Sequence, residues 1–338
     1  MKVDGGLPFH PTGIADAARA AEATGYDGVW SVETGHDPFL PLAVAAGATE
    51  RLELATGIAV AFARNPMTIA TLANDLHELS GGRFVLGLGS QIKAHITRRY
   101  SMPWSHPAPR MRELVLAVRA IWRTWETGEP LAFRGEFYSH TLMTPFFNPG
   151  PNRYGNPRVL VAAVGELMAE VAGEVGDGLL VHPFTTRRYL AEVGLPALER
   201  GAAKAGKGRA DLTVALPGFV VTGTTGEERA ASARAARAQI AFYGSTPAYR
   251  PVLELHGWGD LQPELNRLSK QGEWAAMGDL IDDEVLEAFA VVCPTTEVAE
   301  QVGARWGGLV DRFSFYSSAT LPAEVLAEVL ATLKALPG

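Results

Sequence analysis

The chain is poor in what several enzyme classes require. It has one cysteine, Cys293, so neither an intramolecular disulfide nor a thiolate metal cluster can be built. No apolar run approaches the about 18 residues that a membrane span needs. There is no HExxH and no close pair of histidines, and His10 stands alone where barrel hydrolases carry a His-x-His pair, so no catalytic metal is expected. Basic residues are outnumbered, 30 Lys+Arg against 37 Asp+Glu, a net charge of -7, which gives no general footprint for nucleic acid or anionic membrane. Ser/Gly linkers, charge blocks and internal repeats are also missing. The opening MKVDGGLPFH has no apolar signal region, and a cytoplasmic protein is the expectation.

What is present is core material and turns. Hydrophobic residues make up 47% of 338, enough for a full core, with 36 Gly and 22 Pro between short elements. Strands are predicted at 1–7, 27–33, 52–61, 84–89, 159–164, 178–182, 212–222 and 309–316, each near-continuously apolar. Helical patterns follow them. Thr12 is read as a cap, Ile14, Ala18 and Ala21 as a buried stripe, and Asn65-Pro66 as N-cap plus first helical residue. Leu167, Val171 and Val175 are read as the stripe of the fifth helix. Strands of this kind are buried on both faces, which predicts a parallel sheet with helical cover. Eight units favour an α/β fold of the (β/α)8 TIM-barrel type over a doubly wound sheet. One domain over 1–338 is expected, with insertions at about 90–157, after strand four, and 244–283, after the helix of strand seven. FRGEFYSH inside the first insertion reads as a hairpin.

In a barrel the chemistry lies at the C-terminal strand ends. These ends supply Glu33 to Asp37, Ala59 to Arg64, Gly89 to Lys93, Val164 to Glu166, His182 to Thr186 and Ser314 to Ser317. The strands hold no lysine beyond Lys2, which argues against Schiff-base chemistry. Glu33 and Glu166 keep a glycosidase pair open by position alone. Gly87, Gly89 and Ser90, with Gly165 before a helix, suit a phosphate or cofactor, because backbone N–H groups can approach an anion there. A tight turn with no ligand explains the same glycines. Ile92 stands where the last Gly of GxGxxG would be, so there is no dinucleotide fingerprint.

Several segments together carry a resemblance. LSGGRFVLGLGSQ (79–91), GYDGVWSVE, LATGIAVAFARNP and VLVAAVGELMAEVAGEVGDGLLVH resemble, in order and spacing, the luciferase-like oxidoreductases. ETGHDPF, SQIKAHITRRYSMPWSHP and FYSHTLMTPFFNPGPN are most similar to the branch that uses the deazaflavin coenzyme F-420. The resemblance implies the barrel, a ring near the ends of strands two and three, and a phosphate tail toward strands four and five. It implies Gly57, Ile58, Gly89, Ser90, Val164, Gly165 and Glu166 around the cofactor, with a non-prolyl cis peptide at Gly57-Ile58. His95, Arg98 and Arg99 would meet an acidic tail, and His182 an anionic tail or substrate. Glu33, in apolar surroundings that raise its pKa, or His36 would deliver a proton. Thr34 occupies the place of a histidine found in several relatives, and Ile92 the place of an acid found in sugar-phosphate dehydrogenases. The expectation is hydride transfer between F-420 and a small organic substrate, in a homodimer. An FMN-dependent monooxygenase and a non-catalytic cofactor-binding protein are the alternatives.

Overall fold

In the computed structural model, which describes residues 1–336, the strands close into a ring. In order they are Lys2–Gly6, Gly28–Ser31, Glu53–Thr56 resuming as Ala59–Val60, Phe84–Gly89, Arg158–Ala163, Gly178–Val181, Thr213–Val221 and Arg312–Tyr316. We call these strands one to eight. Each pairs in parallel with the next, and strand eight returns to strand one in the register Lys2↔Arg312, Val3↔Phe313, Asp4↔Ser314. This is the (β/α)8 barrel expected from the apolar strands; every residue of Phe84–Gly89 is buried.

Strand three breaks at Gly57-Ile58, where the peptide is cis, as the resemblance implied. Glycine is required here by crowding, because a Cβ on Gly57 would lie 2.9 Å from the Trp30 ring. Trp30 is itself held from inside the barrel, its Nε1–H donating to Asp4 Oδ2 at 3.0 Å. The Arg312 guanidinium donates twice to Asp4, at 2.8 and 2.5 Å, and once to Glu53, at 2.8 Å. This buried network ties strands one, two, three and eight together. A fully satisfied charge cluster of this kind fixes strand register more than it adds stability.

The outer helices follow their stripes with three differences. The first, Ile14–Thr24, buries Ile14 and Ala18, but its N-cap is Gly13 at φ 74°, not Thr12. The Thr12 hydroxyl bonds His10 Nδ1 instead, at 2.8 Å. Asn65 does cap Pro66–Leu79, accepting from the Thr68 N–H at 3.0 Å. The second difference is Leu167 on Glu166–Val175. It stays exposed, on the first turn of the helix, while Val171 and Val175 are buried.

The third difference concerns the insertions. Residues 90–157 are not one excursion. Pro107–Thr127 within them is the barrel helix between strands four and five, and it buries Met111, Leu114, Val118 and Trp122. Trp122 Nε1 donates to the Ala70 carbonyl at 3.0 Å, locking it to the preceding helix. The excursions are 90–106 and an arm at 128–157, which holds the hairpin Phe133–Arg134 with Ser139–His140. Conversely, the second insertion exceeds 244–283. It begins with helix Gly226–Gly244, capped by Thr225 and Glu228, and runs through Asp283–Phe289 to a short strand, Ala290–Val292, alongside the end of strand seven. Val298–Trp306 is the barrel helix before strand eight. The inserted helices share their own core of Phe184, Phe219, Ile240, Val252, Leu265 and Phe289. Helix Gly226–Gly244 misled the sequence reading because it is rich in Ala and Arg and buries little beyond Ser232, Ala236, Ile240 and Ala241.

Candidate active site

At the ends of strands two and three, Glu33 is the centre of a charged cluster. Its Oε2 accepts from the Val60 N–H at 2.7 Å and from Arg64 Nη1 at 2.7 Å, and its Oε1 accepts from the Tyr100 hydroxyl at 3.0 Å. Arg64 also donates to Asp37 Oδ2 at 3.0 Å and lies over the Phe39 ring. The expectation of apolar surroundings around Glu33 is therefore corrected. The carboxylate is an acceptor with polar donors on both of its oxygens. Burial, and the Glu33 carboxylate next to it, push the Tyr100 phenol pKa up. From sequence, Arg64 appears only as the last residue of a strand-end segment, and Tyr100 is not singled out. An arginine six residues after the break in strand three was the available signal.

His36 is exposed, and its ring meets His10 edge-to-face at 5.6 Å between centroids. Two imidazoles from the loops after strands one and two thus share the mouth. Arg99 donates to the Thr34 carbonyl and lies over the Tyr100 ring, so it secures this loop. His95 and Arg98, one turn away on His95–Arg99, are exposed, while Ile96 anchors the segment in the core.

The glycine-lined side joins the ends of strands three and four. Gly89 ends strand four against Ile58, 2.9 Å from where its Cβ would be, so the break in strand three and the end of strand four are adjacent. The Ser90 hydroxyl donates to the Gln91 carbonyl at 3.2 Å. Gly165 is the N-cap of Glu166–Val175, contributes no side-chain cap, and has open space where a Cβ would project. The first N–H groups of this helix are thus left for a ligand or solvent. Glu166 does not face this cradle; its carboxylate pairs with Arg200 on the outer helix layer. Val164 is half-buried and packs against the core of the inserted helices.

The opposite side, at strands six and eight, is aromatic. His182 follows strand six with its ring 4.7 Å from Tyr243 and 4.8 Å from Tyr249, centroid to centroid. Its Nδ1 accepts the Phe184 N–H at 3.0 Å, and burial pushes its pKa down, to about 3. It is a neutral histidine, which does not suit the anionic tail or substrate expected at it, and the two arginines that follow on the chain turn away. Arg187 donates to the Arg305 carbonyl, and Arg188 pairs with Glu192. Thr186 caps the following helix, accepting from the Tyr189 N–H at 3.0 Å. The Tyr243 and Tyr316 hydroxyls meet at 3.0 Å. Neither tyrosine was singled out from sequence, although Tyr316 lies in the expected strand-eight end. Among the described residues, no group of three or more His, Cys, Asp or Glu is placed to hold a metal ion, and no helix is long and apolar enough to cross a membrane.

Residues 2–312 match the family model described as luciferase-like monooxygenase, and the chain belongs to that family. It is 58% identical over 312 residues, 92% of each chain, to a protein of uncharacterised function from Mycobacterium tuberculosis. It is 28% identical over 294 residues, 84% of this chain and 83% of the other, to 5,10-methylenetetrahydromethanopterin reductase of Archaeoglobus fulgidus. Among solved structures it is similar to the coenzyme F-420-dependent tetrahydromethanopterin reductase of Methanopyrus kandleri, with a TM-score of 0.79, 20% identity and 98% of both chains covered.

Proposed function

We propose that the protein is an oxidoreductase that moves a hydride between the deazaflavin coenzyme F-420 and a small organic substrate at the C-terminal mouth of the barrel. The observation that carries this reading is the open cradle at Gly165. It is an uncapped helix N-terminus with nothing where a Cβ would stand, and the exposed side chains of His95 and Arg98 follow strand four, the neighbour of strand five. Such a set suits a cofactor with a phosphate and an acidic tail. Relatives whose names carry that coenzyme support the choice, including the F-420-dependent glucose-6-phosphate dehydrogenase of Intrasporangium calvum, 31% identical over 217 residues.

Gly57, Ile58, Gly89, Ser90, Val164 and Gly165 would hold the cofactor's ring and phosphate, and His95 and Arg98 its tail. When bound, the deazaflavin would donate or accept the hydride. Hydride transfer to or from a carbonyl also moves a proton, and the exposed His36 is the group proposed to carry it. Glu33, with Arg64 and Tyr100 on it, is the positioning residue that holds the loops after strands two and three. A homodimer in the cytoplasm belongs to the same proposal, and light scattering at micromolar concentration checks the dimer.

The family model's description as a monooxygenase favours a second reading, in which FMN takes the same place. Fluorescence titration decides between them. Tighter binding of F-420 than of FMN is expected, and Arg98→Ala should weaken F-420 several-fold while flattening its salt dependence. Tight FMN binding with none for F-420 would overturn the first reading in favour of the second.

A further inference from the structure

We propose that His182, Tyr243 and Tyr316 form the subsite for the substrate's oxygen, and that the substrate is an uncharged, largely apolar molecule bearing a carbonyl or hydroxyl group. The word substrate rests on the oxidoreductase reading above; the subsite and its preference rest on the wall itself.

The histidine's proton can be placed from its hydrogen bond. His182 Nδ1 accepts the Phe184 N–H at 3.0 Å, so it carries no hydrogen. A neutral imidazole has one ring proton, which must then sit on Nε2. Burial keeps the ring neutral, with no charged neighbour contributing. Nε2–H has no hydrogen-bond partner among the described residues, and His182 is only half-buried, so this donor is available to a ligand.

The phenols add a second donor. Tyr243 and Tyr316 share one hydrogen bond at 3.0 Å, and either hydroxyl can be its donor. The Gln239 side chain also hydrogen-bonds the Tyr243 hydroxyl, so with Tyr243 donating to Tyr316 the proton left over is the one on Tyr316. Burial and the adjacent Tyr316 push the Tyr243 pKa far up, so that hydroxyl keeps its proton. Around these polar tips the surface is apolar. Phe219 packs on Tyr316 at 4.8 Å, and Phe184 is stacked between Tyr249, at 5.9 Å, and Phe289, at 4.7 Å.

What the wall lacks decides the class. The arginines of 187–188 are committed to Arg305 and Glu192, and among the described residues no Lys or Arg is hydrogen-bonded to any of the three side chains. A carboxylate or phosphate entering here would lose its water and gain no cation. A neutral oxygen would exchange water for an N–H and an O–H donor in apolar surroundings, where those bonds count for more. The position fits this role, since His182 directly follows strand six and Tyr316 ends strand eight, both at the C-terminal mouth. The inserted helix Gly226–Gly244 brings Tyr243 to them.

The test is calorimetric titration of the full chain, with and without saturating F-420, using three probes with one ring system: 2-acetylnaphthalene, 2-naphthoate and naphthalene. The neutral ketone is expected to bind at least tenfold tighter than the carboxylate, and more tightly than naphthalene. His182→Phe and Tyr316→Phe keep the ring packing and remove one donor each; each should weaken the ketone about fivefold and leave naphthalene unchanged. His182→Gln, which restores an N–H, should recover part of the loss. Equal or tighter binding of the carboxylate, unchanged ketone affinity in both Phe variants, or binding of no probe would overturn the proposal. So would loss of F-420 affinity in His182→Phe, which would assign the wall to the cofactor. Failure of F-420 to bind the wild-type chain, with the ketone preference intact, would count against the cofactor reading and leave this one standing.

Discussion

The two sides of the barrel mouth solve the burial of polar groups in opposite ways. On the Glu33 side the charged groups beneath the surface are matched to one another. Glu33 is held by Val60, Arg64 and Tyr100, and Arg64 also holds Asp37. On the His182 side the groups are neutral and some donors are left over. A site whose bonds are already made within the protein is a scaffold, because a ligand would have to break them. A site with free donors in apolar surroundings is a receptor. The difference separates residues that position from residues that bind.

The largest effect should follow from breaking the matched side. Glu33 is 6% exposed and Arg64 16% in their side chains. Arg64→Met leaves the carboxylate with one N–H, one O–H and no counter-ion. Removing one partner of a buried pair costs about 3–5 kcal/mol, and the partial exposure of Arg64 puts this case near the lower end, about 3 kcal/mol. Urea denaturation measures it. Adding Glu33→Gln should recover part of the loss, since no unpaired charge then remains. A loss below about 1 kcal/mol would mean that the pair is solvated and is not the scaffold described.

His36→Ala should separate chemistry from scaffold. The residue is exposed and, among the described residues, holds no hydrogen bond, only its ring contact with His10. Stability should stay within about 0.5 kcal/mol of wild type, and F-420 affinity should be unchanged. Turnover of the deazaflavin with a supporting substrate should fall by roughly a hundredfold if His36 carries the proton. An unchanged rate and pH profile would move that role to another group.

These contrasts were unevenly legible in the sequence. The barrel was readable because apolar runs such as FVLGLG leave no exposed face. Gly57 was readable because the family pattern marks its place, and crowding by Trp30 gives it a physical reason. The roles of Glu33 and Glu166 were not. Both stand at expected strand-end positions, yet one meets Arg64 and the other meets Arg200, residues 31 and 34 positions along the chain. The tyrosine wall was hidden for a similar reason. Tyr243 reaches Tyr316 only because Gly226–Gly244 belongs to the inserted helices, and its Ala- and Arg-rich sequence gives no stripe that says so.

The smallest effect should come from titrating the neutral side. Burial lowers the pKa of His182, to about 3, and also lowers those of His77, His140 and His256. Tyr243 and Tyr249 face His182, and burial raises both phenols, Tyr249 to about 12, so neither ionises in acid or near neutrality. An unfolded histidine takes up its proton near pH 6.5. These histidines accept it only at lower pH when folded, so the unfolded chain binds more protons between the two values. Their contribution to stability is therefore complete above about pH 6.5 and is lost as pH falls toward the folded pKa. The melting temperature should hold steady from neutral pH down to about 6.5 and decline below it, before most carboxylates titrate near pH 4. His182→Phe keeps an aromatic ring against Tyr243 and Tyr249 but removes the titrating group, so its decline should be shallower. Equal slopes in both proteins would show that His182 accepts its proton as readily folded as unfolded, and the neutral wall would have to be redrawn with a cation in it.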